Sequence, residues 1–153
     1  MRGLTILGCR IRVAPVPLRP DLARAYENAD YVVFGEPPIV LRIGKTSPEL
    51  DALLQKAGKA GAAFITAANP LGMPTDAATN QAAVQALLES LAGTDFTCYG
   101  GEGCDPDHLW TPEPSLLVVG IGRADAQALG RRLRQNALVF IEKGKAAELV
   151  VLS

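Results

Sequence analysis

The sequence predicts an α+β domain of ferredoxin-like type: a βαββαβ two-layer sandwich with an N-terminal ββα elaboration and an extra C-terminal strand. Three observations carry this. From Ala62 onward, apolar segments follow in the order β-α-β-β-α-β. Val84, Leu87, Leu88 and Leu91 recur at helical spacing, whereas Ala62–Ala67 and Ala137–Glu142 are short apolar runs that read as strands. Glycine, proline and asparagine clusters punctuate the junctions.

Taken in order, residues 1–20 form a proline-rich extension with a short strand around Leu4–Leu7 or Ile11–Val13. Pro15, Pro17 and Pro20 then suggest an extended arm. A single domain is expected over 21–153. Asp21 is expected to cap a helix through Ala29. Tyr31–Phe34 and Ile39–Ile43 read as strands joined by the turn Gly35-Glu36-Pro37-Pro38. Ser47-Pro48-Glu49 has the form of a helix start, and Gly58 that of its stop. Strand Ala62–Ala67 leads through the loop 68–74 into a helix over 76–92. Phe96–Tyr99 is a strand, and a glycine-rich loop is expected from Gly100 to Pro112. Strand Ser115–Ile121, helix Ala124–Leu133, strand Ala137–Glu142 and a last strand Glu148–Leu152 complete the chain.

At 153 residues, 48% apolar and 20% charged, the chain suits one globular domain with a sizeable core. Four Phe, three Tyr and one Trp make that core mostly aliphatic. Fifteen basic against sixteen acidic side chains leave no electrostatic footprint for nucleic acid. Arg123, Arg131, Arg132 and Arg134 read as compensation of helix-end dipoles. No apolar run approaches a membrane span. Three cysteines without a CxxC pair suit a reducing compartment. The opening MRGLTILGCRIRV has too short an apolar stretch for a signal peptide, so a cytoplasmic location is expected.

In a ferredoxin-like topology one pole collects the end of the first strand, the start of the first helix and the start of the third strand. Thr66, Asn69, Asn80, the loop Gly100–Cys104, His108, Glu113, Ser115, Gln135 and Asn136 are therefore expected together. The other pole receives ordinary turn residues such as Lys143-Gly144-Lys145. Asn80 precedes Val84, Leu87 and Leu91 on the buried helix face, where an amide needs partners. Two readings stand: Asn69, Asn80 and Asn136 bond each other as structural glue, or they meet a ligand.

At Leu22–Tyr26 with Tyr31, at Thr66-Ala67-Ala68-Asn69-Pro70 with Asn80, and at Gln135-Asn136-Ala137, the chain resembles the domain-of-unknown-function family numbered 3293. The resemblance covers about residues 21–152. An aromatic residue commonly precedes Asn-Pro in that family, and Ala68 departs from it. The resemblance implies no activity, cofactor or catalytic residue.

Other motifs fail on spacing. Gly44-Lys45-Thr46 lacks the first glycine of a phosphate-binding loop, since position 39 is isoleucine. Gly100-Gly101-Glu102-Gly103 does not match GxGxxG and reads as a bulge or turn. Cys98, Cys104 and His108, with Asp105 and Asp107, match no standard zinc spacing. Neither metal nor cofactor is expected. Cys98 is expected buried and Cys104 accessible.

The leading functional expectation is a binding module for a small polar or anionic ligand, using Thr66, Asn69, Asn80, Glu113, Gln135 and Asn136. The runner-up is an enzyme at the same pole, with Glu113 and Glu102 as an acid–base pair or Cys104 and His108 as nucleophile and base. The third is a protein-interaction subunit, such as a homodimer, using an exposed sheet face or edge.

Overall fold

A computed structural model describes residues 19–152, together with the backbone of two short strands, β1 (Leu4–Ile6) and β2 (Cys9–Ile11), which pair antiparallel. The arm expected around Pro15 and Pro17 lies outside the described residues. Pro20 belongs not to that arm but to the first position of helix α1 (Pro20–Asn28), where its missing N–H costs nothing. Asp21 therefore sits within the first turn. The capping position falls to Arg19, whose side chain makes no capping bond.

The main sheet has seven antiparallel strands: β3 (Asp30–Val33), β4 (Ile39–Leu41), β5 (Gly61–Ile65), β6 (Thr97–Cys104), β7 (Glu113–Val119), β8 (Ala137–Glu142) and β9 (Glu148–Val151). Their spatial order is β4-β3-β6-β7-β5-β8-β9. The strands β5 and β8 are antiparallel neighbours, as element order predicts, with Phe64 opposite Val139. The extra C-terminal strand β9 pairs with β8.

The expected ferredoxin-like two-layer sandwich is corrected in two respects. First, β3 and β4 add to the β6 edge, and the sheet curls. Just past β4, Ile43 forms a bridge with Ala147 ahead of β9, supported by Gly44 N–H donating to the Ala147 carbonyl at 2.8 Å. The two edges of the sheet thus meet, which limits the unpaired edge an interaction subunit would need. Second, helices lie on both faces. Helices α3 (Ala77–Ser90) and α4 (Arg123–Arg132) cover the outer face, where Val84, Leu87, Ala126 and Leu129 pack on Ala63, Leu116, Val118 and Leu138. Helix α2 (Pro48–Ala57) fills the concave face, where Leu50 and Leu54 pack against Val33, Leu117, Val119 and Ile141. Its start is as expected: Ser47 Oγ accepts from Leu50 N–H at 3.1 Å, and Gly58 takes the left-handed φ of 66° at its end.

The glycine-rich segment is the largest local departure. Gly100–Gly103 lies not in a loop but inside the eight-residue strand β6. A Cβ on Gly101 would stand 2.3 Å from the Val32 carbonyl oxygen and 3.1 Å from the Phe64 ring. Glycine there permits close backbone approach within the sheet. Arg131 and Arg132 occupy the last turn of α4, in keeping with the dipole reading. Arg123 opens that helix instead. It is held by an ion pair with Glu148 and lies 4.9 Å above the Phe140 ring.

No helix among the described residues is long and apolar enough to cross a membrane.

Candidate functional site

The strand β5 ends at Ile65, and the next residues knit one pole together. Thr66 Oγ1 donates to the Pro114 carbonyl at 2.6 Å and accepts from Ala68 N–H at 2.9 Å. This fastens the end of β5 to the start of β7. Gln135, buried at the turn before β8, donates to the carbonyls of Ala68 at 3.0 Å and Leu133 at 3.3 Å.

Asn69 takes a left-handed conformation (φ 46°), which asparagine tolerates better than most residues. Its backbone N–H donates to Asn80 Oδ1 at 3.0 Å. Its Oδ1 accepts from Thr75 N–H at 2.9 Å and from Asn80 Nδ2 at 2.9 Å. Asn80, on the buried face of α3, also donates to the Thr75 carbonyl at 3.2 Å. One donor of Asn69 faces elsewhere: Nδ2 holds Glu113 Oε2 at 3.0 Å. Asparagine and threonine groups thus fold the 69–75 loop onto α3 and aim one amide at one carboxylate.

Glu113 opens β7, half-buried and opposite Gly103 of β6. Burial pushes its carboxyl above the ordinary range, and the Asn69 amide partly offsets this. It stands in the wall of a cavity of about 720 Å³ at the mouth of the curled sheet. The helix α1 covers one side through Leu22, Ala25 and Tyr26, and Trp110 closes another. Tyr31 and Phe64 form its inner wall, edge to face with centroids 5.4 Å apart. The Tyr31 hydroxyl donates to the Tyr26 carbonyl, tying α1 to β3. Burial pushes the Tyr26 phenol up, the Glu113 charge adds to this, and the Asn136 amide pulls it partly back. The Tyr31 phenol is raised by burial, by Tyr26 and by Glu113. Glu113 is the one carboxyl group among the cavity-lining residues described, which include no Lys, Arg or His.

Of the residues singled out from sequence, Thr66, Asn69, Asn80, Glu113 and Gln135 all line this cavity. Asn136 lies just behind it, its amide nitrogen 2.9 Å from where a Cβ on Gly72 would sit. The enzyme candidates scatter. Glu102 pairs with Pro114, one residue out of step with the Gly103–Glu113 pair. Side chains alternate along strands, so Glu102 takes the α3 face and Glu113 the concave one, and they form no acid–base pair. Cys104 is half-buried, and its Sγ lies 3.5 Å from Glu102 Oε1. Burial and Glu102 push its thiol up to about 11, opposite to the shift an activated nucleophile needs. His108 is exposed in the loop beyond, and no hydrogen bond joins it to Cys104 among the described residues. Cys98 is half-buried rather than fully enclosed. Among the described residues no three His, Cys, Asp or Glu side chains gather as a metal site.

Tyr26, Tyr31, Phe64 and Trp110 escaped the sequence reading as site residues. One signal was available: Tyr31 and Val33 alternate along β3 onto the buried face.

Fold and site together define an α+β domain with a curled antiparallel sheet and an aromatic-walled cavity at its mouth. Residues 65–138 match the model of a family described as "Protein of unknown function (DUF3293)", which supports the resemblance seen in the sequence. That stretch runs from the last residue of β5 into β8 and contains the whole Asn69–Asn80–Glu113 network. No curated protein and no solved structure matches the chain.

Proposed function

We propose that the protein is a binding module for a small polar ligand held in the cavity at the mouth of its sheet. One observation carries this reading: a cavity of about 720 Å³ with mostly apolar walls and a single carboxylate fixed by an amide. Small-molecule sites have that volume and that mixture of apolar lining with few placed polar groups. In this reading Thr66, Asn69, Asn80 and Gln135 act mainly by holding the rim in shape, because their side chains already bond one another and the backbone. Glu113 is the group that meets the ligand, with Tyr26 beside it in the lining and Asn136 supporting Tyr26 from behind. An anionic ligand loses its support, since no lining cation among the described residues would receive it.

The test is a fragment screen by ligand-observed NMR on the parent protein and on Ala25→Phe, which fills the cavity from α1. Fragments that bind the parent and are lost in the variant are expected. Fragments that bind both equally, or no binding fragments at all, would count against the cavity as a site.

The raised carboxyl of Glu113 favours a second reading, an enzyme in which this group acts as general acid or base. Conversion of a bound fragment to product by the parent, and not by Glu113→Gln, would favour the enzyme over the binder.

A further inference from the structure

Resting on the small-ligand reading of this cavity, we infer that the ligand is an organic cation. It carries an amine or guanidinium group on an apolar body, with the charge at Glu113 and the body among Tyr26, Tyr31, Phe64 and Trp110.

The argument begins with the carboxylate. Asn69 occupies Oε2, and among the described residues no donor reaches Oε1 and no basic side chain pairs with the group. No buried side-chain oxygen among the described residues lacks a partner, so Oε1 is open to water inside the cavity, and a half-buried carboxylate in a mostly apolar wall is free to take a charged partner there. A neutral ligand would displace water from that carboxylate without compensating its charge. An anion would meet the charge with no Lys, Arg or His among the lining residues to offset it.

The aromatic walls point the same way. Two phenols and the indole line the cavity together with Glu113. The Glu113 charge acts on both phenols, so all three groups share one small volume. Ring faces attract cations, more strongly where water is excluded. A cavity of about 720 Å³ far exceeds a bare ammonium ion, so the charge arrives on a larger body. Ala25, Ala29 and Val139 supply apolar surface for it.

The probes are phenethylamine, its neutral counterpart 2-phenylethanol and the anion 3-phenylpropionate. Binding to the full chain is read by calorimetry and by quenching of Trp110, the single tryptophan. The amine is expected to bind roughly ten- to a hundredfold more tightly than the alcohol, the range of a charge-assisted hydrogen bond. Glu113→Gln should abolish that preference, bringing amine and alcohol affinities to within a few-fold of each other. If the alcohol or the anion binds as well as the amine, the cavity reading stands and the cation inference falls. If none of the three binds at millimolar concentration, both fall. Should Glu113→Gln fail to fold, salt dependence of the parent decides. Amine affinity should drop with added salt while alcohol affinity does not, and salt-independent amine binding would overturn the inference.

Discussion

Asn69 and Glu113, 44 residues apart in sequence, are joined by one hydrogen bond of 3.0 Å from amide nitrogen to carboxylate oxygen. The rest of Asn69 is committed to Asn80 and Thr75, so the position of Glu113 depends on how the loop before α3 is folded. Structural glue and candidate site are therefore parts of one network. The sequence alternatives for these asparagines do not exclude each other.

That coupling predicts how the asparagines respond to truncation. Asn80→Ala strands Asn69 N–H and should lower stability by about 1–3 kcal/mol. Asn69→Ala removes bonds to Asn80, Thr75 and Glu113 and puts alanine at φ 46°, so its loss should be at least as large. The double variant should cost clearly less than the sum, because the two share bonds. Urea denaturation of the three proteins measures this, and simple additivity would argue against a shared network.

Much of this arrangement was legible in the sequence, and the rest was hidden for identifiable reasons. Element order and apolar runs were enough to put Ala62 and Ala137 in neighbouring strands and to bring Thr66, Asn69, Asn80, Glu113 and Gln135 to one pole. The extension of β6 through Gly100–Gly103 was not legible, because glycines that admit Val32 and Phe64 resemble glycines that make a turn. Nor was the separation of Glu102 from Glu113, which turns on a one-residue register. The meeting of Ile43 with Ala147 joins segments about a hundred residues apart, beyond the reach of local pattern. Without that curl there was no way to see α1 and Trp110 closing over a cavity.

The burial of Glu113 gives a pH dependence with a definite sign. Its folded-state pKa is raised, so its contribution to stability is full below the unfolded value and is lost as pH rises through the folded one. Glutamine stays neutral throughout and still offers an oxygen to Asn69. Glu113→Gln should therefore have a higher denaturation midpoint than the parent near neutral pH, with the gap closing on acidification. The facing phenols of Tyr26 and Tyr31 are raised and stay protonated in that window, so they do not confuse the reading. A variant less stable than the parent at neutral pH would show that the Asn69 bond to the carboxylate outweighs the cost of burying it.

The thiols test the geometry of the outer face. With its pKa pushed up to about 11, Cys104 should carry roughly a hundredfold less thiolate near neutral pH than an ordinary cysteine. Iodoacetamide should accordingly label it slowly in a Cys9→Ser background, where only Cys98 and Cys104 remain. Glu102→Gln should speed the reaction by removing the neighbouring charge. Rapid labelling of Cys104 that is indifferent to Glu102 would contradict the contact between them.

The glycines of the sheet offer the sharpest test of the fold, through a comparison of two substitutions. A Cβ on Gly101 would lie 2.3 Å from the Val32 carbonyl oxygen, which belongs to a paired strand and cannot move without breaking the ladder. A Cβ on Gly130 would lie 2.4 Å from Leu152 Cδ1, the far end of a side chain that can change rotamer. In helix α4 alanine also gains roughly 1 kcal/mol of helix propensity over glycine, which works against the clash. Gly101→Ala should therefore cost at least about 1–3 kcal/mol, the usual range for overpacking, and Gly130→Ala distinctly less. Thermal and chemical denaturation of the two variants beside the parent give the comparison. If Gly101→Ala were neutral, β6 would have to leave β3 at that point, and Gly100–Gly103 would be the loop that its sequence suggests.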